Sequence, residues 1–196
     1  KIKGVSLVYF GDGALSQGIF FESINLASLH NLPVIYILEN NEYGMGTAVN
    51  RIVANYAEVK KRAEAFGVKT YEVDGMDVFA VEDVFDKIIA SMRKKPEPVF
   101  IKVNTYRYRG HSISDPATYR SKEEVEEYKK RDPINQLKDL IISKKWANEN
   151  EVKEIEKEVK DVINEAVDFA EKSDWPDISE VFDHVYKDQL PVKNYD

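Results

Sequence analysis

VSLVYFGDGALSQG, at residues 5–18, carries the clearest fold signal in the sequence. Its first half is a continuous apolar run with β-branched and aromatic residues between Gly4 and Gly11, which is typical of a buried strand in a parallel sheet. After the glycine turn, apolar residues recur at helical spacing over residues 17–29. We therefore predict a strand, a tight turn and a helix, the first unit of an α/β fold.

The same alternation of strands and helices continues along the chain. The further predicted elements are strands over residues 34–38, 68–73 and 99–103, a loop over residues 39–51, and helices over residues 56–66 and from the N-cap Asp77 through Met92. This order is typical of a parallel sheet with right-handed crossovers.

The pattern changes after the last predicted strand. Residues 104–120 form a long polar loop, and the chain after it is helical. Ser121 and Glu124 have the spacing of a capping box, and further helices are predicted over residues 134–142, 149–171 and 179–186. We therefore divide the chain into an α/β domain of residues 1–120, which includes the 104–120 loop, and a helical region of residues 121–196.

Composition excludes several classes of protein. The chain has 196 residues, a net charge of −7 and no cysteine. The acidic balance argues against nucleic acid as a partner, and the missing cysteines exclude disulfides, thiolate metal sites and a cysteine nucleophile. No apolar run approaches the roughly 20 residues of a membrane span, and we expect no membrane partner. The sequence starts without methionine or a signal peptide, which fits a processed or truncated piece.

The first glycine loop has the composition of a phosphate-binding turn. Gly11 and Gly13 flank Asp12, and the turn leads directly into a helix. Glycines let backbone N–H groups approach a phosphate, but a carboxylate between them would repel it unless a divalent cation lay between the two. Asp12 therefore suggests Mg²⁺.

The second loop supplies matching oxygen donors. Asn40 and Asn41 follow the second predicted strand, so they emerge at the same edge of the sheet as Asp12. Amide and carboxylate oxygens suit Mg²⁺, which commonly bridges protein and phosphate oxygens. The alternative for each residue alone is an ordinary turn or helix cap; the pairing favours the metal.

Longer segments resemble one protein family. Gly11-Asp12-Gly13, followed by 26 residues (14–39) and then Asn40-Asn41, is similar to the thiamine diphosphate motif. The longer segments are GDGALSQG with FFES behind it, ILENNEYGMGTAVNR, VDGMDV and TYRYRGHSISDPATYRSKEEVEEYKKRDPI. Together, these segments resemble the α subunit of the thiamine diphosphate-dependent, decarboxylating component of 2-oxo-acid dehydrogenase complexes, most closely pyruvate dehydrogenase. The fold this implies is a partial thiamine diphosphate-binding fold, with a parallel sheet and flanking helices followed by a helical carboxyl-terminal region.

The resemblance also implies site residues. Mg²⁺ would be bound by Asp12, the side chain of Asn41 and the main-chain oxygen of Tyr43, while Asn40 holds the loop. The implied cofactor-binding residues are Asp12, Gly13, Ala14, Asn41 and His111. His111 is also the implied catalytic residue, which handles substrate or intermediate.

The polar loop carries the remaining implied residues. The resemblance implies that four residues of this loop order it over the active site and dock a lipoyl domain. These residues are Arg107, Asp115, Tyr119 and Arg120. Ser112 matches the principal phosphorylation position of mitochondrial relatives. The second such position falls on Thr118, and the third falls on Ala48, an alanine that cannot be phosphorylated. This favours a bacterial, cytoplasmic enzyme without kinase control, with the mitochondrial matrix as the alternative location.

The implied activity is the oxidative decarboxylation of pyruvate with acyl transfer to a lipoyl group, in a heterotetramer. The resemblance assigns one cofactor-activating glutamate to a β subunit, so this chain is not expected to be active alone. The implied partners are that β subunit, an amino-terminal α portion or chain missing here, the lipoyl domain of the dihydrolipoyl acyltransferase, and pyruvate. Two alternatives remain: an α subunit acting on branched-chain 2-oxo acids or acetoin, and a non-catalytic phosphate-binding module.

Overall fold

Four parallel strands form the main sheet of the structure, a computed structural model that describes residues 4–183. In chain order the first elements are β1 (Ser6–Gly11), α1 (Gly18–Leu29), β2 (Val34–Asn40), β3 (Tyr43–Gly44), β4 (Thr47–Ala48), α2 (Lys60–Glu64), β5 (Lys69–Asp74), α3 (Val78–Lys94) and β6 (Val99–Asn104). The sheet order is β1-β2-β6-β5, and every neighbouring pair is parallel. The predicted α/β fold is confirmed.

The central strands of the sheet are covered on both faces, because their side chains alternate between two cores. On β2, Tyr36 and Leu38 enter one core, and Ile35 and Ile37 enter the other. Helix α1 packs into the first core and α3 into the second. This explains why β2 and β6 are near-continuous apolar runs.

The strand register brings the loops of interest to one edge. Gly11 is level with Glu39, and Asn40 is level with Asn104. The loops after β1, β2 and β6 therefore leave the sheet at the same carboxyl edge, where ligands bind in open parallel sheets.

Several segments differ from their predictions. The strand predicted as buried at residues 5–10 is β1, an edge strand that exposes Leu7, Val8 and Tyr9. The loop over residues 39–51 contains the small hairpin β3–β4, in which Tyr43 pairs with Ala48. Its turn needs a left-handed residue, and Met45 supplies it with φ 54°. The helix predicted over residues 56–66 is a 3₁₀ turn followed by the short α2, after a left-handed Asn55 with φ 51°.

The chain after the polar loop is helical, as predicted. Its helices are α4 (Lys122–Lys129), α5 (Pro133–Ser143) and α6 (Glu149–Lys172). The helix predicted to start at residue 179 is instead a 3₁₀ turn at Ile178–Phe182, which ends at the extended Asp183. Residues 184–186 of the last predicted helix lie outside the described residues. Helix α6 starts with a capping box of Asn148 and Glu151 that the sequence analysis missed.

The described residues form two compact units, which divide between residues 140 and 141. The functional division after residue 120 stays a prediction. Across residues 4–183, no helix combines the length and apolar character needed to cross a membrane.

A charged cluster on the sheet gives a testable pH dependence. The Glu72 carboxylate accepts hydrogen bonds from Lys60 Nζ (2.9 Å), Lys102 Nζ (3.1 Å) and Asn104 Nδ2 (2.9 Å). Burial alone raises the pKa of Glu72, but the bonds from Asn104 and the two lysines outweigh burial and lower this pKa from 4.5 to about 2. A lowered folded-state pKa means that the ionised carboxylate stabilises the fold above the unfolded value, and that this contribution is lost as the pH falls toward 2.

We expect Glu72→Gln to lower the free energy of unfolding by about 1 kcal/mol or less near neutral pH, because the side chain is 36% exposed and surface pairs are screened. The difference from wild type should shrink as the pH falls below about 4.5. Urea unfolding of both proteins across this range measures it. A difference that is constant with pH would contradict the assignment.

Candidate functional site

Asp12 is a buried carboxylate at the carboxyl end of β1. It is 2% exposed, and its Oδ2 is buried without a hydrogen-bond partner among the described residues. The second loop packs directly against it, since a Cβ atom added to Gly44 would lie 3.6 Å from Asp12 Oδ1. The structure thus brings together the two loops that the sequence analysis paired.

The surroundings of Asp12 oppose a bare negative charge. Burial raises the pKa of its carboxyl above the usual value, and the Glu42 carboxylate raises it further. Hydrogen bonds from the backbone of Gly13 and Asn41 and the charge of Arg107 act in the opposite direction. A buried carboxylate with a free oxygen is suited to a cation.

The two asparagines of the second loop have different surroundings. Asn40 is fully buried, and its Nδ2 donates to Glu42 Oε1 (2.9 Å) and to Asn104 Oδ1 (3.0 Å). Its Oδ1 accepts from the Glu42 N–H (3.1 Å), so its amide is used within the protein. Asn41 Oδ1 accepts only the Tyr43 N–H (3.1 Å) among the described contacts, which leaves a lone pair for a ligand.

The turn after β1 leaves space at its backbone. A Cβ atom added to Gly13 would meet nothing within 4 Å. The helix predicted to follow the turn is preceded by a 3₁₀ helix, Asp12–Ser16, and α1 begins at Gly18. The extra turn places the fully buried Leu15 in the core. The backbone of Gly13 and Ala14 thus lies beside Asp12, at the edge where a phosphate would bind.

The polar loop is held together by Asp115. Its carboxylate accepts hydrogen bonds from the backbone N–H of His111 (2.6 Å), the backbone N–H of Ala117 (2.8 Å) and the hydroxyl of Tyr119 (2.9 Å). These bonds, led by the one from His111, lower the pKa of Asp115. Gly110 is required there, because a Cβ atom would lie 2.6 Å from the Asp115 carbonyl oxygen.

Arg107 joins the polar loop to the second loop. Its Nη2 donates to the Met45 carbonyl (2.5 Å) and to the Tyr119 hydroxyl (3.0 Å). Arg120 donates to the Arg107 carbonyl. The four residues that the resemblance assigns to loop order therefore share one hydrogen-bond network.

His111 and Ser112 lie in the exposed part of this loop. Ser112 Oγ is 3.1 Å from Ser114 Oγ, and the Ser112 carbonyl accepts the Asp115 N–H (3.1 Å). The candidate phosphorylation position is thus accessible and lies next to the residues that hold the loop.

Glu124 makes long-range contacts that its local sequence does not predict. Ser121 Oγ accepts the Glu124 N–H (3.0 Å), as in a capping box, but the Glu124 carboxylate bonds the hydroxyls of Tyr43 (2.8 Å) and Tyr106 (2.7 Å). The local S-x-x-E spacing predicts the cap and gives no signal for these long-range partners.

The donor set around Asp12 is unlike a carboxylate-rich metal centre. Within residues 4–183, no three His, Asp or Glu side chains converge to hold a metal ion. The implied set instead combines one carboxylate, one amide oxygen and one main-chain oxygen. All three are hard oxygen donors, which fits Mg²⁺ completed by phosphate and water oxygens.

Comparison with known proteins agrees with the resemblance. A family model described as dehydrogenase E1 component matches residues 1–179. The pyruvate dehydrogenase E1 component subunit alpha of Rhizobium meliloti (strain 1021) is 49% identical over 179 residues, which are 91% of this chain and 51% of that protein. The protein of the same name from Rickettsia bellii (strain RML369-C) is 44% identical over 182 residues, 93% of this chain and 56% of its own length.

A plant relative, pyruvate dehydrogenase E1 component subunit alpha-3, chloroplastic, of Oryza sativa subsp. japonica, is 41% identical over 184 residues, 94% of this chain and 43% of that protein. The chain spans about half the length of the curated relatives it matches. Since the family model covers most of its residues, the chain belongs to the dehydrogenase E1 component family.

Proposed function

We propose that this chain provides the Mg²⁺- and diphosphate-binding part of a thiamine diphosphate-dependent pyruvate dehydrogenase. The observation that carries the proposal is the Asp12 carboxylate, which is buried with one oxygen unpartnered among the described residues and lies against the second loop. An unpartnered buried carboxylate is costly unless it serves a ligand.

The residues present fit both groups. Asp12, Asn41 Oδ1 and the Tyr43 main-chain oxygen would hold Mg²⁺, and the backbone of Gly13 and Ala14 would contact the diphosphate. The space at Gly13 supports this assignment, because a phosphate needs close access to backbone N–H groups. When bound, thiamine diphosphate supplies the nucleophilic carbon and the electron sink for decarboxylation.

The chain's own residues would anchor the cofactor and order the site. Asn40 fixes the second loop through the Asn104 side chain, so the oxygen donors stay in place. Asp115 and Arg107 hold the polar loop, from which His111 would reach substrate or intermediate as an acid or base. Phosphate on Ser112 would place negative charge beside His111 and Asp115 and disturb this loop.

The activity requires other chains. Strand β1 is an edge of the sheet and exposes Leu7 (43%), Val8 (41%) and Tyr9 (59%), which is a surface that another chain would cover. We propose the β subunit and the amino-terminal α portion as these partners, with the lipoyl domain as acyl acceptor, in a heterotetramer. Relatives from Rhizobium and Rickettsia support a bacterial cytoplasmic location.

The test of this function is reconstitution. The chain is combined with its candidate partner chains, thiamine diphosphate and Mg²⁺, and the decarboxylation of pyruvate is compared with that of a branched 2-oxo acid. We expect faster turnover with pyruvate. Faster turnover with the branched acid would favour the sister enzyme, and the absence of turnover with every partner would overturn the enzymatic assignment.

A further inference from the structure

The side chain of Tyr43 is fixed at its hydroxyl. The residue is 8% exposed, and its hydroxyl donates to Glu124 Oε1 at 2.8 Å. One side of the residue borders a cavity of about 290 Å³ that Glu42, Tyr56 and Tyr128 also line. The ring also packs against Tyr106 and Tyr119, whose ring centroids lie 6.4 Å and 5.3 Å away, and the bond to Glu124 adds a directional restraint at the hydroxyl.

Tyr106 is anchored to the same carboxylate oxygen. Its hydroxyl donates to Glu124 Oε1 at 2.7 Å, and its ring stacks on Tyr128 of α4 with centroids 3.8 Å apart and planes 5° apart. Tyr106 lies at the start of the polar loop, two residues after β6. A single carboxylate on α4 therefore joins the second loop to the base of the polar loop.

Both phenols donate hydrogen bonds to the same carboxylate oxygen. The Arg120 guanidinium lies over the rings of Tyr43 (5.7 Å) and Tyr106 (5.3 Å). Hydrogen bonds to a charged acceptor are the stronger kind.

Glu124 is not held in place by its helix cap. A complete capping box would turn its carboxylate back to the Ser121 N–H, as Glu151 does toward Asn148 at the start of α6. The carboxylate instead bonds two tyrosines that are 81 and 18 residues away in sequence. The Ser121 side chain caps the helix backbone without help from the Glu124 carboxylate, which instead accepts the hydroxyls of Tyr43 and Tyr106.

We propose that Glu124 is a positioning residue, which holds the Tyr43 main chain in the second loop and the base of the polar loop in one arrangement by accepting both tyrosine hydroxyls. The proposal deepens the proposed function and rests on it for one consequence: the Tyr43 carbonyl, an implied Mg²⁺ ligand, would be set in place from α4. The joining of the two loops does not depend on any cofactor.

The test compares three variants in the assembly that the chain forms with its partner chains. Glu124→Ala removes the acceptor, and Glu124→Gln keeps a carbonyl oxygen at the same reach but removes the charge. Glu123→Ala is the matched control, since Glu123 is an exposed acid in the same first turn of α4. Two readouts are measured: trypsin cleavage after Arg107 and Arg109, identified by mass spectrometry, and the Mg²⁺ concentration that half-saturates thiamine diphosphate binding.

We expect Glu124→Ala to raise both the cleavage rate and the half-saturating Mg²⁺ concentration by about tenfold, because two charge-assisted hydrogen bonds are lost. Glu124→Gln should remain within about threefold of wild type, since a neutral acceptor forms weaker bonds of the same geometry. The control should match wild type. If Glu124→Ala fails to fold, Tyr43→Phe removes one of the two bonds, and it should shift both readouts in the same direction.

Different results would contradict the role of Glu124 and the proposed function. The proposal for Glu124 would be overturned if Glu124→Ala were cleaved at the wild-type rate, whatever the half-saturating Mg²⁺ concentration. If the alanine variant does not fold, cleavage of Tyr43→Phe at the wild-type rate would overturn it. A wild-type assembly that binds thiamine diphosphate without regard to Mg²⁺ would overturn the proposed function, while the cleavage rates would still decide the role of Glu124.

Discussion

Asp12→Ala is expected to abolish Mg²⁺-dependent binding of thiamine diphosphate. The affinity should fall by at least about a hundredfold, since the substitution removes a carboxylate ligand, and even the partners that orient ligands contribute about 10–100-fold. Calorimetric titration of the assembled protein with and without Mg²⁺ measures this loss. Glu39→Gln is the matched control, because Glu39 is an exposed carboxylate level with Gly11 at the same sheet edge; it should bind as wild type does.

A substitution of Asp12 that weakens cofactor binding should nevertheless stabilise the fold when no metal is present. Asp12→Asn keeps the shape of the side chain and removes a buried charge whose Oδ2 has no partner among the described residues. We expect the free energy of unfolding to rise by about 1 kcal/mol in the presence of a chelator. Lower binding together with higher stability is the signature of a residue kept for its ligand. A destabilised Asp12→Asn protein with unchanged cofactor affinity would show that Asp12 is structural.

His111→Ala is expected to slow acyl transfer to the lipoyl group by about 10²–10⁴-fold, the usual contribution of a positioned acid or base. Cofactor affinity should stay within about twofold of wild type, because the His111 ring is exposed and its backbone N–H, which survives the substitution, makes the bond to Asp115. Rapid-mixing kinetics with a lipoylated acceptor separate the transfer step from decarboxylation.

Asp115→Ala is the informative comparison for His111. It removes the acceptor of three hydrogen bonds and keeps the imidazole. The polar loop should therefore become sensitive to protease, a change that His111→Ala should not cause. If His111→Ala made the polar loop as sensitive to protease as Asp115→Ala does, His111 would act through loop order rather than through chemistry.

Local patterns in the sequence were sufficient for most of the fold. The apolar run at residues 5–10 predicts the position of β1 (Ser6–Gly11) but not its exposure, because β1 is an edge strand. Asp77 caps α3 by accepting the N–H groups of Phe79 and Ala80, as its position predicted. The positions of these elements were predictable because apolar patterns and caps extend over only a few residues. The hairpin at Tyr43 was not, since it depends on left-handed backbone at the non-glycine residue Met45.

The proximity of the two loops that carry Asp12 and Asn41 was predictable from a short motif, whereas contacts between distant residues were not. Asp12 and Asn41 each lie next to a strand end, so parallel topology alone brings them to one edge. The contact of Glu124 with Tyr43 spans 81 residues, and the local spacing favours a different partner for the same carboxylate. Such a contact depends on how helices and loops pack, which no short pattern encodes.

The central claim is that Asp12 and the second loop bind Mg²⁺ to hold a diphosphate. Its most direct test is the calorimetric titration of thiamine diphosphate into the wild-type assembly, first with Mg²⁺ and then with a chelator. We predict saturable binding with Mg²⁺ that the chelator abolishes. Equal binding under both conditions, or no binding by the complete assembly, would contradict the claim.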